Sequence, residues 1–527
     1  MYMRTRPSAT NRFVRDVAGL RLIAWGAGQH CWPRTIAGRH GNPLRVSISD
    51  AWGAGQHCWP RTIAGRHGNP LRVSISVAWC LAFLAGTSAK AYAQEVPSQT
   101  PVPQTPSAPE PSADANRFLA GFQSTYIWQR KPTMAAAYTL PDTNSLQQGS
   151  ETGYTLSATL FLGARPWQHT EVFINPEVIQ AVNISDLHGL GGMSNSENQK
   201  GGKPIPTLYL ARAFVRQTVS FGGEAVAVDA GQNQFATTVK SRRVVLTAGM
   251  MSLIDVFDIN PYAHDARTQF LDWALLAHGA YDFAADTRGY TWGIAAEYFH
   301  DAWAFRIGRY LVPKESNGMS LDLNLVSHYG DNVEVEHTHS IRGRGGKIRL
   351  LGFRNYERMG AFADAVDRAA GGTPTVADVR RNQSKYGLGI AVEQSFHRDG
   401  GFFLRGSWND GRTETYSFAE IERSLAVGGV MNGPLWHRPK DSVGAAWVMN
   451  GLSPEHRRYL AQGGLGFLIG DGQLTRYMPE QLFEAYYAAA IFRGLWLSLD
   501  FQHISNPAYN ADRGPVSFFG VRLHLEM

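Results

Sequence analysis

The sequence predicts an all-β fold, a transmembrane outer-membrane β-barrel of about 16 antiparallel strands with short periplasmic turns and long external loops. Three observations predict it. From Arg117 onward, apolar and polar residues alternate with period two in segments of roughly ten residues, separated by Gly, Asn, Asp and Pro clusters. The connections between segments alternate between short and long. Aromatic residues (Trp167, Trp303, Tyr310, Trp408 and Tyr487) stand near segment ends, where a lipid–water interface favours them. Composition removes other classes: 44% hydrophobic against 18% charged residues excludes a disordered polyampholyte. No apolar run reaches the roughly 18 residues that a spanning helix needs. A soluble sandwich, propeller or β-helix would not combine such long strands with such uneven loops.

Residues 1–93 read as a presequence. The chain's formal charge of +6 invites a nucleic-acid partner, but it is unevenly spread. Residues 1–93 hold eleven Arg and Lys90 against Asp16 and Asp50, a balance of +10, and the remaining 434 residues carry 38 basic and 42 acidic groups, a balance of −4. The basic excess therefore argues for export and against nucleic acid. Residues 73–86 (VSISVAWCLAFLAG) form a short apolar core behind Arg72 and ahead of the small-residue site Ala91-Tyr92-Ala93. Together they read as a Sec signal peptide cleaved before Gln94. Upstream, residues 24–49 recur letter for letter at 51–76. Structural repeats diverge and need about three copies to bury a core, so an identical pair reads as a recent tandem duplication or a start placed too far upstream, with no folded role for residues 1 to about 68. Cys31 and Cys58 are one repeat position copied, which removes them as a metal or redox pair. With Cys80, they are the chain's three cysteines. Residues 94–114 hold six prolines between Pro97 and Pro111, a polyproline-rich periplasmic spacer.

The barrel is assigned to residues 115–527. Early strands are expected at 117–129, 152–163 and 170–180. In 207–219, Tyr209, Ala211, Ala213, Val215 and Val219 oppose Arg212 and Arg216. In 402–409, Phe402, Leu404 and Trp408 oppose Phe403, Arg405, Ser407 and Asn409; in 495–503, Leu495, Leu497, Leu499 and Phe501 oppose Trp496, Ser498, Asp500 and Gln502. At the end, Phe519, Val521, Leu523, Leu525 and Met527 oppose Gly520, Arg522, His524 and Glu526. Short turns are expected at 165–167, 300–302, 398–400 and 493–494, and long connections at 181–206, 252–289, 311–331, 355–384 and 411–440. The 413 residues from 115 to 527, at roughly 26 per strand plus connection, give about 16 strands, a size that leaves an aqueous channel.

Several segments resemble a known family. These are Tyr126-Ile127-Trp128-Gln129-Arg130-Lys131-Pro132, Phe173-Ile174-Asn175-Pro176-Glu177, Asp255-Val256-Phe257-Asp258 with 264–270 (HDARTQF), 410–416 (DGRTETY) and above all 506–516 (NPAYNADRGPV). They resemble the carbohydrate-selective porins of the OprB type, over essentially residues 115–527. The resemblance implies a 16-stranded barrel in the outer membrane of a Gram-negative bacterium, admitting small sugars such as glucose by passive diffusion. It implies no enzyme activity and no cofactor or metal. The partners it implies are small sugars, outer-membrane lipid and the barrel-assembly machinery, with the protein a monomer or homotrimer. Such barrels commonly end in an aromatic residue, whereas this chain ends in Met527, for which slower assembly is expected.

A sugar carries many hydroxyls and no charge, so its selection needs paired donors and acceptors and an aromatic face on the lumen wall. Strand parity nominates Asn175, Glu177, Arg212, Arg216, Glu334, Glu336, Arg405 and Asp500 as pore-lining groups, with Trp496 as the lumen aromatic. The plainer reading of each is a charged pair that keeps the wall rigid. The mixed polar and aromatic segment 252–289 is expected to fold inward, with Asp255, Asp258, Asp265 and Arg267 as constriction candidates. His337 and His339 lack the further ligands of a metal site, and Gly343–Gly346 reads as a turn. Two functions compete with sugar diffusion. One is a general, weakly ion-selective porin. The other, an outer-membrane barrel enzyme, would need a catalytic cluster, and no Gly-x-Ser-x-Gly elbow is present.

Overall fold

The computed structural model describes residues 117–527 apart from Ala419. The presequence, its duplication and the proline-rich spacer lie outside the described residues. Sixteen strands form one closed antiparallel sheet in chain order. They are β1 (Phe118–Lys131), β2 (Glu151–Trp167), β3 (Thr170–Val182), β4 (Thr207–Val228), β5 (Thr237–Met251), β6 (Thr291–His300), β7 (Trp303–Tyr310) and β8 (Tyr329–Ile341). The second half comprises β9 (Arg344–Met359), β10 (Arg381–His397), β11 (Gly400–Asn409), β12 (Arg423–Asn432), β13 (Ser442–Gly451), β14 (Glu480–Phe492), β15 (Leu495–Ser505) and β16 (Val516–Glu526). β16 pairs with β1 from Gln123–Glu526 to Arg130–Phe519, so the wall has no free edge. No helix among the described residues is long and apolar enough to cross a membrane.

β7 shows how alternation builds the wall. Trp303, Phe305 and Ile307 point outward and are exposed, while Ala304, Arg306 and Tyr310 point inward and are buried. β11, β15 and β16 keep the parities expected from their sequences. An apolar exterior and a polar interior invert a soluble protein, as a barrel in lipid requires. Five of the hairpins on one rim are closed by two-residue turns, at 168–169, 301–302, 342–343, 398–399 and 493–494. At the third, Arg342 and Gly343 both adopt positive φ, 53° and 74°, as the tightest hairpins require. The opposite rim carries the long connections, of which 252–290 is the longest.

Five expectations need correction. The first turn lies at 168–169 rather than 165–167, because β2 runs on through Trp167. The turn assigned to 343–346 lies at 342–343. The connection assigned to 411–440 contains β12, whose Gly428-Gly429 pair interrupts the alternation; a Cβ at Gly428 would fall 2.7 Å from the inward Phe403 ring. Tyr209 points into the barrel, since β4 bulges at Ala211: Asn175 pairs with Arg212 but Pro176 with Leu210. Pro176 has no N–H to give the ladder, and the extra residue reverses the parity below it. Tyr310 belongs to no aromatic belt. It is buried inside, and Cβ atoms at Gly293 and Gly308 would fall 2.2 and 2.6 Å from its ring. Gly293→Ala is expected to cost about 1–3 kcal/mol by overpacking, measurable as a lower midpoint in denaturant unfolding from detergent.

The core of the molecule sits within the barrel. Connection 252–290 folds inward, and residues 270–286 are buried throughout. Trp273 stacks on Phe418 and Phe283 at ring-centroid distances of 4.5 and 5.9 Å, and Phe270 meets Tyr486 of β14 and Phe403 of β11 at 5.1 and 5.9 Å. These rings hold together a segment that would otherwise be an external loop.

Candidate functional site

The wall of β6–β10 carries a continuous ion ladder. Arg306 reaches Glu297 at 2.9 Å, Glu334 at 2.8 Å and Glu336 at 3.2 Å. Arg349 continues it to Glu336 at 2.7 Å and Glu393 at 2.8 Å. Each link crosses to an adjacent strand, and all partners but the half-buried Glu297 are buried, so Glu334 and Glu336 stiffen the wall. They also start the anchoring of the inward segment, because Glu334 accepts from the Asp258 backbone N–H at 2.7 Å.

The segment is tied around much of the barrel. Arg405 donates through Nε to Asp258 at 3.0 Å and through Nη1 to the Leu275 carbonyl at 2.8 Å. Glu484 accepts from the Asp272 N–H at 3.1 Å, Arg522 donates to the Ala266 carbonyl at 2.8 Å, and Lys385 holds Asp282 at 2.9 Å. Charged hydrogen bonds from β8, β10, β11, β14 and β16 therefore fix the segment across the lumen.

Its remaining ties form the cluster of interest, against β3 and β4. Arg267 bridges Glu177 of β3 at 2.8 Å and Glu197 of connection 183–206 at 2.9 Å. Glu177 also accepts from the hydroxyls of Thr159 and Tyr209. Lys200 pairs with Glu197 at 2.8 Å, and Arg212 holds Asp255 bidentately, both contacts at 2.7 Å. Two aromatic rings lie among these charges. Arg212 and Lys200 stand 5.2 and 5.6 Å from the centroid of Tyr290, and Arg288 stands 4.4 Å from that of Tyr209. Burial opposes the Asp255 charge, but Arg212 outweighs it and holds the carboxyl below its usual value. Lys200, likewise penalised by burial, is held above its usual value by Glu197. Both side chains, with Arg212, stay partly exposed, whereas Glu177, Glu197, Arg267 and Tyr290 are buried behind them.

Of the residues nominated from sequence, Glu177, Arg212, Asp255 and Arg267 meet in this cluster. Asn175 and Arg216 lie toward the short-turn rim, where Asn175 exchanges amide hydrogen bonds at 2.9 Å with Asn233 and Arg216 donates to the Asn233 carbonyl at 3.0 Å. These contacts hold turn 229–236 inward. Asp258 and Arg405 form the opposite anchor. Asp265 is half-buried and accepts from the Arg267 N–H at 2.9 Å. Asp500 faces inward, opposite Tyr486 and Gly520. Trp496 has inward parity but lies one residue from the short-turn rim, donating to the Lys440 carbonyl at 3.3 Å. The aromatics of the cluster are Tyr209 and Tyr290, which the sequence reading did not nominate, nor did it nominate Lys200, Glu197 or Arg288. Among the described residues no group of acidic, His or Cys side chains is placed to hold a metal ion.

His278, in the inward segment, adds a pH dependence. Its ring nitrogen lies 3.6 Å from Asp258, beyond hydrogen-bond reach, and burial pushes its pKa down to about 4 while Asp258 opposes the shift. The unfolded chain binds that proton more readily, its free value being about 6.5. This residue therefore leaves stability unchanged above about pH 6.5 and lowers it, by on the order of 3 kcal/mol, as pH falls from there to about 4. Melting curves across that range should show the loss, and His278→Phe should flatten it.

A closed sixteen-stranded wall, apolar outside and lined inside by paired charges around an inward-folded segment, defines a porin of the outer membrane. The chain belongs to the OprB family of carbohydrate-selective porins, whose family model matches residues 143–527. Among solved structures it is similar to the high-pH structure of Pseudomonas putida OprB, with a TM-score of 0.59 and 13% identity over 78% of this chain and 94% of that one. The low-pH structure of the same protein gives 0.41 and 11% over 77% and 92%. The outer membrane channel DcaP of Acinetobacter baumannii gives 0.43 and 8% over 78% and 97%. No curated protein matches the chain.

Proposed function

We propose that this porin passes small, glucose-like sugars selectively and passively into the periplasm. The observation that carries this reading is the lumen cluster, in which Arg212, Lys200, Arg267 and Arg288 stand against Asp255, Glu177 and Glu197 around Tyr209 and Tyr290. Fixed donors and acceptors match sugar hydroxyls, and a phenol face matches the apolar C–H surface of a pyranose ring. Pairing the charges leaves a small net field, which favours an uncharged solute. A sugar enters among the external loops, exchanges water for Arg212, Lys200 and Asp255, and leaves past turn 229–236. Binding stays weak, because a deep well would trap the solute. Liposome swelling with glucose, maltose, an amino acid and a zwitterion of similar size tests this. Faster entry of the sugars supports it, and equal rates for all four contradict it.

One observation favours a weakly anion-preferring general porin: Arg288 makes no ion pair among the described residues. Sugar block of the ion current separates the two readings. The processing scheme belongs to the same proposal. Residues 1–93 are removed at the signal-peptide site, and residues 94–114 become a periplasmic spacer. An intact mass for the outer-membrane protein that starts at Gln94 supports the scheme, and a start before Ser88 contradicts it.

A further inference from the structure

We infer that the outer face of β7–β10, at the long-loop edge of the lipid-facing belt, binds the phosphate of an anionic glycolipid headgroup in the outer leaflet. Ile294, Arg309, Asp331, Arg354 and Tyr386 lie in direct cross-strand register on five adjacent strands, all on the outward face. One residue pair nearer the membrane centre, the same face shows Ile307 and Leu388, 59% and 63% exposed. The row therefore stands where hydrocarbon gives way to headgroups. Arg309 is already neutralised, its guanidinium held by Asp331 at 2.6 and 2.7 Å.

Arg354 has no such partner among the described residues. Its polar contacts are with the Ser384 hydroxyl at 3.3 and 3.2 Å, and three tyrosine rings surround it, Tyr329, Tyr356 and Tyr386, at 5.7–5.8 Å. A guanidinium has five N–H donors in a planar fork, and the serine takes only part of that capacity. A phosphate oxygen pair fits the remainder bidentately, and the phenol rings hold the fork in place. Arg358, four residues on and outward on β9, is exposed and makes no ion pair among the described residues. It stands about 13 Å along the strand from Arg354, within the span of one large headgroup. Because the face adjoins the apolar belt, the occupant is a lipid rather than a free phosphate.

The test incubates the full mature protein, in detergent, with bisphosphorylated lipid A, dephosphorylated lipid A or inorganic phosphate, and reads bound mass by native mass spectrometry. Wild-type protein should carry lipid A, at an occupancy about fivefold lower in Arg354→Gln and in Arg358→Ala. Arg130→Ala, an outward arginine on the far side of the barrel, should retain it. Dephosphorylated lipid A and inorganic phosphate should leave the wild type bare. A heat-modifiable gel shift confirms that each variant is folded. Equal lipid A occupancy in wild type and both variants overturns the inference, and so does binding of the dephosphorylated lipid or of inorganic phosphate at comparable occupancy.

Discussion

Arg267→Met should release the inward segment from one side of the barrel. Arg267 is buried and holds Glu177 and Glu197 at 2.8 and 2.9 Å, so its removal leaves Glu177 buried without a paired cation and Glu197 with Lys200 alone. Breaking a buried ion network from one side costs about 3–5 kcal/mol, far more than the network contributes relative to an apolar replacement. The loss should appear in two measurements. Denaturant unfolding should shift to lower concentration, and single-channel conductance should rise, because the segment that crosses the lumen has lost its tie to β3. The double variant Arg267→Met, Glu177→Gln removes the orphaned charge, keeps the Glu197–Lys200 pair and should recover most of the stability. Its conductance should stay high, since the tether itself is still missing. Recovery of stability without recovery of conductance separates the anchoring role of Arg267 from a general folding defect.

Arg212→Ala should change what passes more than whether the barrel stands. Arg212 makes two 2.7 Å hydrogen bonds to Asp255 and faces Tyr290. Its loss leaves Asp255 as an unpaired anion at the lumen surface. Hydrogen bonds to charged groups contribute about 1.5–3 kcal/mol, which corresponds to a roughly 10- to 150-fold loss of sugar affinity if the guanidinium contacts the solute directly. Ion selectivity should move toward cations at the same time. Current block by glucose and the reversal potential in a salt gradient measure the two effects on one membrane. Arg212→Lys keeps the charge without the bidentate fork, so it should restore the reversal potential while leaving sugar affinity depressed.

The wall was legible from sequence because a strand writes its two environments into alternate residues. Leu495, Leu497 and Leu499 against Ser498, Asp500 and Gln502 admit one reading of β15 once lipid is the outer solvent. Failures occurred where a local device broke the period. The bulge at Ala211 turned Tyr209 inward, and the Gly428-Gly429 pair concealed β12. The inward fold of 252–290 was readable from its mixed polar and aromatic composition. Its partners were not, since the contacts of Arg267 with Glu177 and Glu197 span 90 and 70 residues and follow from no local pattern. Trp496 shows the limit of parity: it gives the face a side chain occupies but not its height along the pore.

On this reading the lumen cluster selects neutral sugars. The most direct measurement is the ion current through a single reconstituted channel titrated with glucose and, separately, with a zwitterion of similar size. Glucose should reduce the current with saturating concentration dependence in wild type and much more weakly in Arg212→Ala and Tyr290→Ala, while the zwitterion has no saturable effect. Equal responses to glucose and the zwitterion, or a glucose response unchanged in both variants, would rule out sugar selection by this cluster.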